Sequence, residues 1–151
     1  MAATLGAPVS GHSAGGHLTA MMMAALWPVF DARLPKDLWK GGLAVSGLYD
    51  LRPLVQVDWL NADLRLDEAA ALRVSPAFLS AATRAPVMTC VGGDESAEFK
   101  RQNSLLGERW RGAFAGDVSM PGRNHFSIVN GLAEPSSALF SGARKLMKLD
   151  K

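Results

Sequence analysis

Ser10-Gly11-His12-Ser13-Ala14-Gly15-Gly16-His17-Leu18 is the stretch on which the reading of this chain turns. Gly11 to Gly15 fits the pattern G-x-S-x-G and stands between a short apolar segment and a longer helical one. A serine at the centre of such a pattern, where a strand meets a helix, occupies a sharp, strained turn that projects its hydroxyl above a sheet. The flanking glycines, Gly11 and Gly15, are expected because a side chain at either would collide with neighbouring backbone as the chain reverses. The following helix would direct the Ala14 N–H and its positive N-terminal end at a developing oxyanion.

Outward from that turn, residues 7–10 read as a short strand broken early by Gly6 and Pro8. Over 14–26, Leu18, Met21, Met22, Ala25 and Leu26 recur at helical spacing, and Pro28 biases Trp27 away from helix and sets the stop. Leu43-Ala44-Val45 before Ser46-Gly47 reads as a buried strand, 66–72 as a short helix, and 86–91 before Gly92-Gly93 as another strand. A helix over 97–110, a last strand over 113–120 and a final helix over 136–147 complete the pattern. Leu139, Phe140, Ala143, Leu146 and Met147 share one face of that last helix. Strands alternating with helices at this spacing specify an α/β fold with a mostly parallel sheet and flanking helices.

The 151 residues, 48% hydrophobic and 20% charged, have the make-up of one globular domain, expected to span 1–151. A chain this long buries about 68–70% of its unfolded surface, enough for a core without disulfides or metal staples. The 16 Lys+Arg and 14 Asp+Glu are interspersed, so no basic block invites nucleic acid or anionic lipid. The single cysteine, Cys90, lies in an apolar run and is expected to be a small buried hydrophobe. The start of the chain lacks the basic and apolar regions of a signal peptide, and no apolar run reaches the roughly 18 residues of a membrane span. A cytoplasmic location without membrane attachment is the expectation.

A serine nucleophile needs a base to take its proton and an acid to orient that base. His12 and His17 are tied to the turn and its helix, badly placed to swing in above Ser13, and are expected to be structural or surface residues. His125 follows Pro121-Gly122-Arg123-Asn124, a loop after the last strand, where an open sheet presents residues at its carboxyl edge. Asp94 and Glu95 follow the strand ending at Val91 and occupy the same edge. The order serine, acid, histidine is that of an α/β-hydrolase. The pattern contains neither a phosphate loop nor a zinc helix, so nucleotide and metal are not indicated. Trp27, Trp39, Trp59, Trp110 and Phe126 are expected in core or interface rather than in a pocket.

Five segments carry a resemblance: 10–18 with the serine turn, Val45-Ser46-Gly47-Leu48-Tyr49-Asp50-Leu51, Ser75-Pro76, the stretch 91–102 with Glu98-Phe99 and Arg101-Gln102, and Asn124-His125-Phe126. In that order they resemble the kynurenine formamidase (arylformamidase) branch of the α/β-hydrolases. The resemblance implies hydrolysis of N-formyl-L-kynurenine to kynurenine and formate in tryptophan catabolism, without a cofactor; related members are carboxylesterases. It implies Ser13 as nucleophile and His125 as base, and it leaves the acid open between Glu95 and Asp94.

The family carries, upstream of the serine turn, further strands and a His-Gly-Gly-type loop that completes the oxyanion hole, and the residues before Gly11 do not resemble them. The chain is therefore expected to be a partial α/β-hydrolase fold, the C-terminal portion, with the N-terminal strands missing. Losing one oxyanion donor typically costs about 10²–10³ in rate, so a competing reading is an inactive hydrolase fold, or a subunit needing a partner to complete its sheet. The strand carrying Ser13 would become an edge, and exposed edges recruit partners, either a second copy or another chain. Pro8 and Gly6 suit an edge better than a central strand.

Overall fold

A computed structural model of the chain describes residues 6–149. Met1 to Leu5, on which part of the leader reading rests, lie outside the described residues. Four strands, β1 (Val9–His12), β2 (Gly42–Val45), β3 (Val87–Gly92) and β4 (Phe114–Met120), form one sheet in the order β1-β2-β3-β4. Every pair is parallel. Ser13 N–H donates to the Val45 carbonyl at 2.9 Å and Ser46 N–H to the Cys90 carbonyl at 2.7 Å, so the ladder continues into the turns at the carboxyl edge.

Parallel strands need long crossovers, and helices supply them. α1 (Ala14–Ala24) follows β1 and α5 (Ala97–Arg109) follows β3. Both lie on one face, where Ala20, Met23 and Leu106 pack with Ala44, Tyr49, Val87 and Trp110. α6 (Ala138–Leu146) covers the other face, where Leu139 and Leu146 meet Leu43, Val45, Cys90 and Val118. The alternation along β2, with Ala44 on one side and Leu43 and Val45 on the other, is the strand period of two, and both faces are apolar because both are covered. α5 and α6 begin on Ser96 and Ser137, whose hydroxyls accept from Phe99 N–H and Phe140 N–H.

Three expectations are corrected. β1 runs two residues later than read, over Val9–His12, because the regular register with β2 begins only at Val9 opposite Gly42, although the Ala7 carbonyl already accepts from Lys40 N–H at 3.1 Å. α1 ends at Ala24, and Trp27, instead of ending a helix, opens α2 (Trp27–Phe30) with Pro28 in its first turn, where a missing N–H costs nothing. The helix placed over 66–72 is α4 (Glu68–Arg73), preceded by α3 (Asp58–Leu64), which periodicity does not reveal. Asp67 sets the start of α4 by accepting from Ala70 N–H at 2.6 Å. Trp110 is core, donating to the Pro76 and Leu79 carbonyls, whereas Trp59 and Phe126 are 77% and 81% exposed. Among the described residues no helix is long and apolar enough to cross a membrane.

Candidate active site

Ser13 sits between β1 and α1 with φ 58° and ψ −116°. A non-glycine residue held there costs about 1–3 kcal/mol, tolerated only where the surroundings impose it. Serine is a preferred helix N-cap, yet Ser13 caps nothing in α1: its hydroxyl is turned away from the helix and lies 3.0 Å from His125 Nε2. Gly11 is required as expected, since a Cβ there would stand 2.3 Å from the Gly15 carbonyl oxygen. Gly15 is not, because a Cβ there meets nothing within 4 Å. The crowded helix glycine is Gly16, one residue on, where a Cβ would meet the Val45 carbonyl oxygen at 2.7 Å. Ala14 is exposed and begins α1, so its N–H has no acceptor within the helix.

His125 is presented by a turn that its neighbours build. Asn124 Oδ1 accepts from Phe126 N–H at 3.0 Å and Ser127 N–H at 2.9 Å, and Ser127 Oγ accepts from Asn124 N–H at 3.0 Å. Gly92 lets this loop close on the sheet, because a Cβ would stand 2.1 Å from the Arg123 carbonyl oxygen. The imidazole lies between His12, ring centroids 4.6 Å apart, and Phe99, at 4.4 Å. His12 Nε2–H donates to the His125 carbonyl at 2.8 Å, and His17 Nε2–H to the Val74 carbonyl at 2.8 Å, so both bond main chain and neither reaches the Ser13 hydroxyl. Phe126 meets His125 edge-on at 5.5 Å and faces solvent.

Of the two acids, Glu95 reaches the histidine. Its Oε2 accepts from His125 Nδ1–H at 2.8 Å, while its Oε1 accepts from Ser46 Oγ–H at 2.5 Å and Gly92 N–H at 2.8 Å. Asp94 is exposed, with its N–H donating to the Arg123 carbonyl at 3.0 Å. Consecutive residues leaving a strand point in different directions, and here the second turns inward. With Nδ1 donating to a carboxylate, a neutral His125 presents an unprotonated Nε2, which accepts from Ser13 Oγ–H. Sequence reading attached no role to Ser46; a buried serine of positive φ directly after a strand is the signal that finds it, and that signal is structural.

The segments 45–51 and 98–102 form a clasp behind the site. Gln102 Oε1 accepts from Tyr49 and Asp50 N–H, both at 2.8 Å, and its Nε2 donates to the Asp50 carbonyl and Glu98 Oε1. Arg52 donates twice to the buried Asp50 carboxylate, at 2.9 and 3.0 Å, and holds it below the usual carboxylate range. Ser75 Oγ accepts from Leu51 N–H at 2.7 Å and donates to the Ala71 carbonyl at 2.7 Å. Cys90 is fully buried and free, and burial pushes its thiol up to about 12.

No family model matches the chain. It is 35% identical over 139 residues to a kynurenine formamidase of Danio rerio, covering 85% of this chain and 45% of the relative. A Salmo salar kynurenine formamidase is 30% identical over 145 residues, covering 91% and 48%. The chain is kynurenine formamidase-like, of the α/β-hydrolase superfamily. A protein of Silicibacter sp. named as a thioesterase superposes on this chain with a TM-score of 0.75 at 33% identity, over 87% of this chain and 48% of that one. This kynurenine formamidase-like chain spans about half the length of the curated relatives it matches, so its four-stranded sheet is part of the hydrolase fold.

Proposed function

We propose that the chain is a serine hydrolase acting on a small formamide, with N-formyl-L-kynurenine as the substrate suggested by the names of its relatives. The observation that carries this is the unbroken hydrogen-bond chain from the strained Ser13 through His125 to the buried Glu95. In this mechanism Ser13 Oγ attacks the formyl carbon as its proton passes to His125 Nε2. The carbonyl electrons move onto oxygen, which faces the Ala14 N–H and the positive end of α1. Glu95 stabilises the imidazolium without taking its proton. Collapse breaks the C–N bond, the departing amine takes the proton from His125, and a formyl ester remains on Ser13. Water, deprotonated by His125, releases formate and restores the serine.

The test is hydrolysis of N-formyl-L-kynurenine and of a short-chain p-nitrophenyl ester by the purified chain beside Ser13→Ala. Formamide turnover that disappears in the variant supports the proposal. Ester turnover alone would favour a general carboxylesterase. A second reading is favoured by the exposure of Ala14 and the open space at Gly15: the oxyanion side is completed from outside the chain, and the chain alone does not turn over. A fluorophosphonate probe separates these readings, since it labels Ser13 only if the serine is activated.

We propose further that β1 pairs with a second copy of the chain. β1 is an edge strand, and in a parallel ladder that bonds Val9 and Gly11 to β2, the N–H and C=O groups of Ser10 and His12 point away from it. Residues 1–30 contain no Asp, Glu, Lys or Arg, although such residues make up 20% of the chain. Leu18, Leu26, Val29 and Phe30 are 54, 61, 82 and 84% exposed. They present on the order of 500 Å², approaching the roughly 800 Å² per partner of a standard interface. A neutral, apolar surface suits self-pairing, because two copies would bring no like charges of this segment together. Light scattering should give a dimer at micromolar concentration and a monomer for Leu18→Glu; a monodisperse wild-type monomer would overturn the idea.

A further inference from the structure

We propose that Ser46 is a positioning residue for Glu95, which rests on the reading of Ser13, His125 and Glu95 as a catalytic relay. Ser46 leaves β2 at the carboxyl edge just as Ser13 leaves β1, and the two lie on adjacent strands. Each has a left-handed backbone, with φ 58° at Ser13 and φ 48° at Ser46, and each turns its hydroxyl onto one end of the same hydrogen-bond chain. Ser46 is 1% exposed, so its hydroxyl has no water to satisfy it and is committed to Glu95 Oε1 at 2.5 Å.

The consequence is a division of labour between the two carboxylate oxygens. Oε1 takes both donors from the protein frame, the Ser46 hydroxyl and the Gly92 N–H, and only Oε2 is left for His125. A buried carboxylate held at one oxygen by two donors at the ends of different strands is restrained against rotating about its last bond and presenting that oxygen to the imidazole. That fixes the plane of the carboxylate, and with it the direction in which His125 Nε2 faces Ser13.

If Ser46 served only the turn, glycine would serve better, because φ 48° is a conformation glycine adopts freely. The hydroxyl is therefore what a Ser46→Gly variant removes while the backbone is relaxed. We expect this variant to melt at or above the wild-type temperature, yet to lose kcat by about 10- to 100-fold, the range for groups that orient a functional ligand, with KM within twofold. A readout independent of turnover is the far-downfield proton resonance of His125 Nδ1–H bonded to a carboxylate, which must vanish in Glu95→Gln.

In Ser46→Gly that resonance should move upfield and exchange faster with solvent. Should glycine disturb the turn, Ser46→Ala must show the same spectral change in a folded chain. An unchanged resonance together with unchanged kcat in Ser46→Gly would overturn the proposal, as would absence of the resonance from the wild-type chain. If the wild-type chain shows the resonance but hydrolyses neither substrate, the hydrolase reading fails for the isolated chain, while the spectral response of Ser46→Gly still decides the role of Ser46.

Discussion

The His125 side and the Ser13 side of the candidate site are built differently. Around His125 and Glu95, the ring makes tilted contacts with His12 and Phe99, and both carboxylate oxygens are occupied by donors from three separate segments. Around Ser13 and Ala14, by contrast, one hydrogen bond holds the serine hydroxyl, Ala14 is exposed and space stands open at Gly15. The difference teaches that this chain holds the imidazole and the carboxylate in a fixed frame facing Ser13, while the surface beside Ser13 and Ala14 is the less enclosed one. Aiming is a matter of hydrogen bonds made within the β2, β3 and β4 ends. Oxyanion binding needs donors converging from two directions, and α1 offers one.

Removing the nucleophile breaks the comparison most severely. Ser13→Ala should lower kcat for the formamide by about 10⁴–10⁶, measured by the absorbance of released kynurenine, because relay members act as a unit. A loss below tenfold would show that turnover does not pass through Ser13. Next comes the contrast between the two acids. Glu95→Gln should cost about 10⁴ in kcat, as a neutral amide favours the wrong imidazole tautomer, whereas Asp94→Asn should stay within twofold. Equal effects in steady-state kinetics would mean that the observed His125 partner is not the functional one.

Smaller effects test the frame. Asp50 is held below its usual carboxylate range, first by its hydrogen bonds to the Arg52 side chain and further by the charge of Arg101, so the folded chain resists protonating it. Its contribution is therefore present above the unfolded value of about 3.9 and lost as pH falls through the lower folded value. Asp50→Asn should lower the free energy of urea unfolding by about 2 kcal/mol at pH 7, with the gap to wild type closing below about pH 4. A gap constant with pH would assign the loss to packing instead. Last, Gly15→Ala should be neutral or stabilise by up to about 1 kcal/mol, while Gly11→Ala should strongly destabilise; thermal melts that rank them the other way would contradict the open space at Gly15.

The alternation of strands and helices was legible because apolar runs and glycine punctuation are local signals. Ser13 and His125 stood out for the same reason, each in a short motif at a place where an open sheet presents side chains. The choice of acid was not legible, since Asp94 and Glu95 are neighbours of the same charge and differ only in the direction their backbone gives them. Gly15 was misread because a five-residue pattern does not say which of two adjacent glycines faces the β2 turn. Ser46 escaped because one serine after a strand carries no periodic or compositional mark. The segments 45–51 and 98–102, whose order carries a family resemblance, owe much of their residue choice to a polar clasp rather than to chemistry at the serine.

By itself, then, the amino-acid sequence determined the kind of sheet, the strained serine turn and the histidine loop, all of which depend on neighbours a few residues apart. Tertiary structure alone decided that Glu95 rather than Asp94 meets His125, that a serine 49 residues before that acid holds its other oxygen, and that space stands open beside Ala14 and Gly15. These outcomes depend on which strand ends are brought side by side. Parallel pairing across β1, β2 and β3 sets that juxtaposition, and no local stretch of chain encodes it.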